Sequence, residues 1–265
     1  MNGATLNIEE IRFPGEKGAF VVLLVASVIT LIVFGALLVA APEAMLVIAF
    51  YVGLFLFASW LAKILALASI RGNGIRVTTE QYPQIHNSVL RFAARLGLTK
   101  IPEVYVVQGT LMNAFAIKVI RRRYVILYSH LVDAALESGD YDEVAMVVGH
   151  EMAHHAAGHV RWHGFLRLGC WIPFLYSYWS RRTEYTCDRA GLVLVNKVRP
   201  SLQGMVKLAV GRKLAALTNL AALRRQMEQV SGELGPIIVE IFSSHPLTIK
   251  RLTQMEDFSQ GRVQA

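Results

Sequence analysis

The sequence predicts a mainly α chain with a small β-sheet, an α+β fold behind an N-terminal hairpin of two transmembrane helices. Three observations carry this prediction. Two long apolar runs, Ala19 to Ala41 and Ala44 to Ala62, hold no charged residue. Three short β-rich runs cluster between Glu103 and Tyr128. Beyond them the patterning is helical, and the first helix carries His150-Glu151-Met152-Ala153-His154.

At 265 residues the chain has room for one substantial domain plus membrane segments. Hydrophobic residues make up 54% and charged residues 17%, too apolar for an ordinary soluble enzyme. The net charge of +8 does not point to nucleic acid, because no stripe of basic residues interleaved with aromatics accompanies it. In an apolar chain, excess Lys and Arg mark the cytoplasmic side of a membrane. Cys170 and Cys187 lack CxxC spacing and form no disulfide framework, which suits a reducing compartment.

Residues Met1 to Gly18 read as a short polar tail. The run that follows is longer than the h-region of a signal peptide, about 7–15 residues, and its head is not strongly basic, so it reads as a true span. Pro42 and Glu43 turn the chain into the second run, which has Trp60 near its end and Lys63 placed to snorkel. The connecting loop has no Lys or Arg, whereas Lys63, Arg71, Arg76, Arg91 and Arg95 follow the second span. The positive-inside rule therefore puts everything after Ile70 in the cytoplasm.

Arg71-Gly72-Asn73-Gly74 reads as a turn, dividing a membrane unit, residues 1–70, from a second unit, residues 71–265. A helix is expected from Tyr82 to Leu98, then strands over Glu103–Gln108, Ala114–Ile120 and Tyr124–Tyr128, the last two joined by a basic turn, Arg121-Arg122-Arg123. A short helix over Leu131–Glu137 stops at Ser138-Gly139. Asp140 and Glu143 form a capping box for the next helix, whose apolar start leads into His150.

Two histidines four apart on a helix point the same way and can share one metal ion, while the glutamate between them reaches the ion's open side. This suits a zinc hydrolase in which Glu151 takes a proton from the attacking water. The extended metzincin motif would need Gly at 157 and His at 160, but those positions are Ala157 and Val160. A gluzincin takes its third ligand from a later helix, and Glu184-Tyr185-Thr186-Cys187-Asp188 is the candidate. Both carboxylates share one helix face, so one can bind zinc while the other accepts a hydrogen bond from a liganding imidazole.

With these residues in order, the chain resembles the HtpX-like membrane zinc metallopeptidases and their relatives, the CAAX prenyl proteases. Asn113-Ala114-Phe115-Ala116 resembles the family's NAFA segment, and Ser244-His245-Pro246 with Arg251-Leu252 resembles its C-terminal HP element. The resemblance implies a gluzincin-type zinc metallopeptidase domain binding one zinc ion per chain through His150, His154 and Glu184. Glu151 would be the base and Asp188 would sit behind His150. Asn113 and Ala114 would lie on a strand edge that binds an extended peptide by main-chain pairing. His245 would donate to the oxyanion or line the cleft; equally, Pro246 could simply open a helix at N1. Arg251 would pair with a site carboxylate or stay on the surface. The implied function is endopeptidase cleavage of membrane or membrane-proximal proteins, as in quality control, at a bacterial inner membrane. The alternative is a silent zinc-binding scaffold or adaptor, against which the intact Glu151 speaks. A metal transporter would need polar residues within several spans.

One departure stands out. The interval before Glu184 holds only Cys170–Trp179, too short to span a bilayer, so an interfacial or re-entrant segment fits it. His155, His159 and His163 form an i, i+4, i+8 stripe, read as a polar stripe near the cleft mouth or as a second metal site. Ser201–Glu233 reads as a basic amphipathic helix or helix pair, packed on the core with its basic face outward.

Overall fold

The computed structural model describes residues 5–109, 114–119 and 122–261. A capped turn of helix, α1 (Ile8–Ile11), precedes two long apolar helices, α2 (Glu16–Ala40) and α3 (Pro42–Asn73), joined at Ala41 with Pro42 at the start of α3. Both are long and apolar enough to cross a membrane, with mean hydropathy of 3.0 and 2.2. Ile32, Val39, Phe50, Phe55 and Phe57 stand exposed along them, an apolar surface far beyond what a water-soluble monomer tolerates.

A four-stranded mixed sheet follows, in the order β1-β2-β4-β3. It comprises β1 (Ile75–Arg76), β2 (Glu103–Val107), β3 (Ala114–Val119) and β4 (Arg122–Tyr128), with α4 (Pro83–Arg95) between the first two. β2 and β4 run parallel; β1 and β3 flank them antiparallel. Strand alternation divides the side chains between two faces. Val104, Val106, Val125 and Leu127 join the main core. Tyr105, Tyr124 and Ile126 face the other way and pack on Leu67, Ile64 and Ile70 of α3.

The helical layer begins with α5 (Ser129–Ser138) and α6 (Tyr141–Ala156). Next come α7 (His159–Leu166), a single 3₁₀ turn at Arg167–Gly169, α8 (Leu175–Val195) and α9 (Val198–Val210). The layer ends with α10 (Arg212–Ala215), α11 (Leu220–Val230), α12 (Leu234–Phe242) and α13 (Thr248–Ser259). α6 is central, packed by α4, α8, α9 and β3.

The mainly helical architecture with a small sheet is as expected, but several local readings change. The segment read as a tail is structural: Ile8 and Ile11 lie in the main core, and Phe13 stacks on Tyr185 at 4.5 Å between centroids. α3 continues through the expected turn at residues 71–74, because Leu67 and Ile70 find the sheet to pack on; only Gly74 lies outside the helix. A Cβ there would come within 2.6 Å of the Ile70 carbonyl oxygen. β1, unforeseen, is held by pairing to β2. Asp140 caps α6 through the Asp142 N–H, while Glu143 is buried against Lys207. Lys207 thus turns inward, against the expected outward basic face of the 201–233 segment, which is broken into α9, α10 and α11. Pro246 is not at N1, since α13 starts two residues later with Leu247 as its cap.

Candidate metal centre

α6 is buried along nearly its whole length, from Glu143 to Ala153 and at His155. Its crossing with α8 is close because two glycines meet there: a Cβ on Gly149 would lie 3.2 Å from Gly191 Cα, and one on Gly191 would lie 2.9 Å from the Met146 carbonyl oxygen. The crossing adjoins His150 on one helix and Asp188 on the other, which brings the two motifs into register.

Nε2 of His150 and Nε2 of His154 are 3.2 Å apart. Glu184 Oε2 lies 3.6 Å from the first and Glu184 Oε1 3.5 Å from the second. Four ligands arranged tetrahedrally at zinc bond lengths of about 2.0–2.2 Å are separated by roughly 3.3–3.6 Å. The two nitrogens and a Glu184 carboxylate oxygen can therefore share one ion of that size. Glu151 is buried beside them on α6.

Asp188 Oδ1 accepts from His150 Nδ1 at 2.9 Å. Both Asp188 oxygens also accept from Arg251, whose Nε and Nη2 lie at 2.8 and 2.6 Å, so α13 closes the site from behind. Arg251 Nη1 is 3.4 Å from Glu184 Oε2. Of the two readings left open for Arg251, pairing with a carboxylate is the one observed. His245 Nδ1 stands 3.3 Å from Glu184 Oε2 with its side chain 66% exposed, and Ser243 Oγ clamps the backbone on either side of it.

Charge states follow from these contacts. Burial alone would push the His150 proton off, but Asp188 and Glu184 raise its pKa to about 10. Burial alone would raise the Glu184 carboxyl, which His150, His154 and His245 instead hold well below the usual range. Asp188 is likewise held low against its burial, by Arg251 and His150.

The expected histidine stripe does not form, because Gly158 (φ +80) breaks the helix after α6. His155 donates from Nε2 to the Tyr124 carbonyl at 3.1 Å and is buried, which lowers its pKa to about 4. His159 turns back, its Nδ1 lying 3.1 Å from His154 Nδ1. Ala114 is the first residue of β3, the outermost strand on its side, and pairs with Leu127. Asn113 lies outside the described residues.

The sequence profile of Peptidase family M48 matches residues 79–171 and 162–259, so it spans β2 to β4, both motif helices and α13. The chain belongs to peptidase family M48. Relatives agree with this membership. The chain is 25% identical to the plastoglobule-localized metallopeptidase 48 of the Arabidopsis thaliana chloroplast, over 79% of this chain and 66% of that one. It is 24% identical to a protease HtpX homolog of Pyrococcus furiosus, over 79% of this chain and 85% of that one. A protease HtpX homolog of Bacillus licheniformis matches at 30% identity over 41% of this chain and 36% of its own. The chain thus spans about two thirds of the chloroplast relative's length. M48 membership implies a metal, typically zinc, and the two-nitrogen, one-carboxylate donor set of His150, His154 and Glu184 fits it.

Proposed function

We propose that this chain is a membrane-anchored zinc endopeptidase of the gluzincin type. The observation that carries the reading is the convergence of His150, His154 and Glu184 at zinc-ligand spacing around one point. These three residues would hold one zinc ion, which when bound would supply a Lewis acid for the scissile carbonyl and the attacking water. Asp188 fixes the His150 tautomer by accepting its Nδ1 proton, leaving the Nε2 lone pair for the metal. Glu151 takes the proton of the attacking water and delivers it to the leaving amine. Ala114, at the start of the edge strand, and Asn113, which precedes it in sequence, bind an extended stretch of protein substrate by main-chain pairing. His245, exposed and close to Glu184, donates to the developing oxyanion.

Residues 1–70 form the anchoring unit and residues 71–265 the hydrolytic unit, with two spans in the membrane and the hydrolytic unit in the cytoplasm. Substrates of this arrangement are membrane or membrane-proximal proteins, and a quality-control role at a bacterial inner membrane suits it. The 3₁₀ turn and Trp171 pack beside Thr30, near the middle of α2, which accepts from the indole N–H at 3.0 Å, and this supports a re-entrant segment after the turn over an interfacial one. Glu151→Gln, which keeps the volume and removes the base, should retain zinc and lower casein cleavage by at least about a hundredfold. Undiminished, chelator-sensitive cleavage by a clean preparation of that variant would overturn the assignment of Glu151.

A further inference from the structure

The two histidine ligands are supported differently. His150 has Asp188 behind it, whereas His154 has another histidine, His159. Gly158 turns His159 inward as the first residue of α7, and its Nε2 lies 2.9 Å from Oε1 of Glu16. Glu16 is the first residue of α2 and only 1% exposed. Its carboxylate also meets Arg12 and the hydroxyl of Thr186, which lies on α8 between the two motif carboxylates.

The protons along this line have one self-consistent arrangement. An ionised carboxylate only accepts, so His159 donates from Nε2 to Glu16. A neutral His159 then accepts at Nδ1, and the donor is His154 Nδ1–H. That leaves the His154 lone pair on Nε2, the nitrogen facing Glu184. We propose that Glu16 and His159 are positioning residues of the metal centre: a carboxylate carried by the first membrane helix acts through His159 to hold His154 in its zinc-binding tautomer and orientation. This rests on the zinc reading above. It makes α2 part of the centre as well as its anchor, and by linkage zinc binding and α2 docking support one another.

A rival use of the same atoms exists. His154, His159 and Cys187 offer atoms within 4.8 Å of one another and could take a metal of their own. A metal there would occupy the two Nδ1 positions and so exclude the hydrogen-bonded line. Zinc affinity of the full chain in detergent, measured by chelator competition, tests the proposal. Glu16→Ala should weaken zinc binding by about 10–100-fold. Glu16→Gln keeps an acceptor without the charge and should lose less, and it decides the matter if the Ala variant does not fold. Lys17→Ala, exposed and next in sequence, should change nothing. The cobalt-substituted Glu16→Gln chain should show shifted visible absorption bands. Unchanged affinity and spectrum in a Glu16 variant that only unfolds more easily would overturn the positioning role while leaving the zinc site intact. Two zinc ions per wild-type chain, one lost in Cys187→Ser, would overturn it in favour of the second site. A wild-type chain that binds no zinc would remove the metal reading itself, and this inference with it.

Discussion

Asp188 ties His150 of α6 to Arg251 of α13. It accepts from His150 on one side and from two Arg251 nitrogens on the other, so a buried carboxylate is fully paired. In the zinc-free chain this arrangement keeps a proton on His150, whose pKa is raised to about 10. Two consequences follow, of opposite sign. The stability that the raised value contributes without zinc is complete below the ordinary histidine value, near 6.5, and is lost as pH rises through about 10. Zinc must displace that same proton, so its affinity should climb by about tenfold per pH unit between about pH 7 and pH 9. Chelator competition repeated across that range checks this; a flat profile would mean that His150 is already neutral. Which residues take part was only half visible in the sequence. His150, His154, Glu184 and Asp188 announce themselves by helical spacing. Arg251 is 63 positions from its partner, and Glu16 is 143 from His159, distances at which only the tertiary fold decides who meets whom.

The elements show a similar division. α6 was legible because its cap, its apolar first turns and its motif agree, and β2 to β4 because they are short runs rich in β-branched and aromatic residues. β1 is two residues long and exists only through its partner. The read-through of α3 past Gly72 reflects burial of Leu67 and Ile70, which overrides local turn chemistry. At the α6–α8 crossing, the absence of a side chain is what matters. An alanine at 191 would drive its Cβ to within 2.7 Å of Met146 Sδ and 2.9 Å of the Met146 carbonyl oxygen. Since a backbone atom is among those met, the helices must part. Gly191→Ala should cost about 1–3 kcal/mol by thermal unfolding and also reduce zinc content, as Asp188 moves off His150. Gly164→Ala makes the contrast: nothing lies within 4 Å of its Cβ, and it should be neutral or stabilising by about 0.5–1 kcal/mol. Equal losses in both variants would show that helix propensity, and not the close crossing, governs the site.

At the scale of the molecule, the apolar helices and the hydrolytic unit are built into each other. α3, 32 residues and so about 48 Å long, exceeds a hydrocarbon core of about 30 Å, and its last turns stand on the back of the sheet. α2 contributes Ala19 and Leu23 to a cluster with Leu166 and Trp179, and its first residue to the charge cluster around His159. The basic residues gather at one end of the hairpin: Arg12 before α2, Lys17 in its first turn, and Lys63 and Arg71 toward the far end of α3. The turn between the spans carries only Glu43. The positive-inside rule then puts Glu43 outside and the α11–α12 turn inside. Single-cysteine variants in a chain lacking Cys170 test this, because Cys187 is buried. In intact cells stripped of their outer barrier, a membrane-impermeant maleimide should label Glu43→Cys and leave Ser231→Cys untouched. In inverted vesicles the pattern should exchange. Labelling of Ser231→Cys from outside would reverse the topology and put the metal centre on the other face of the membrane.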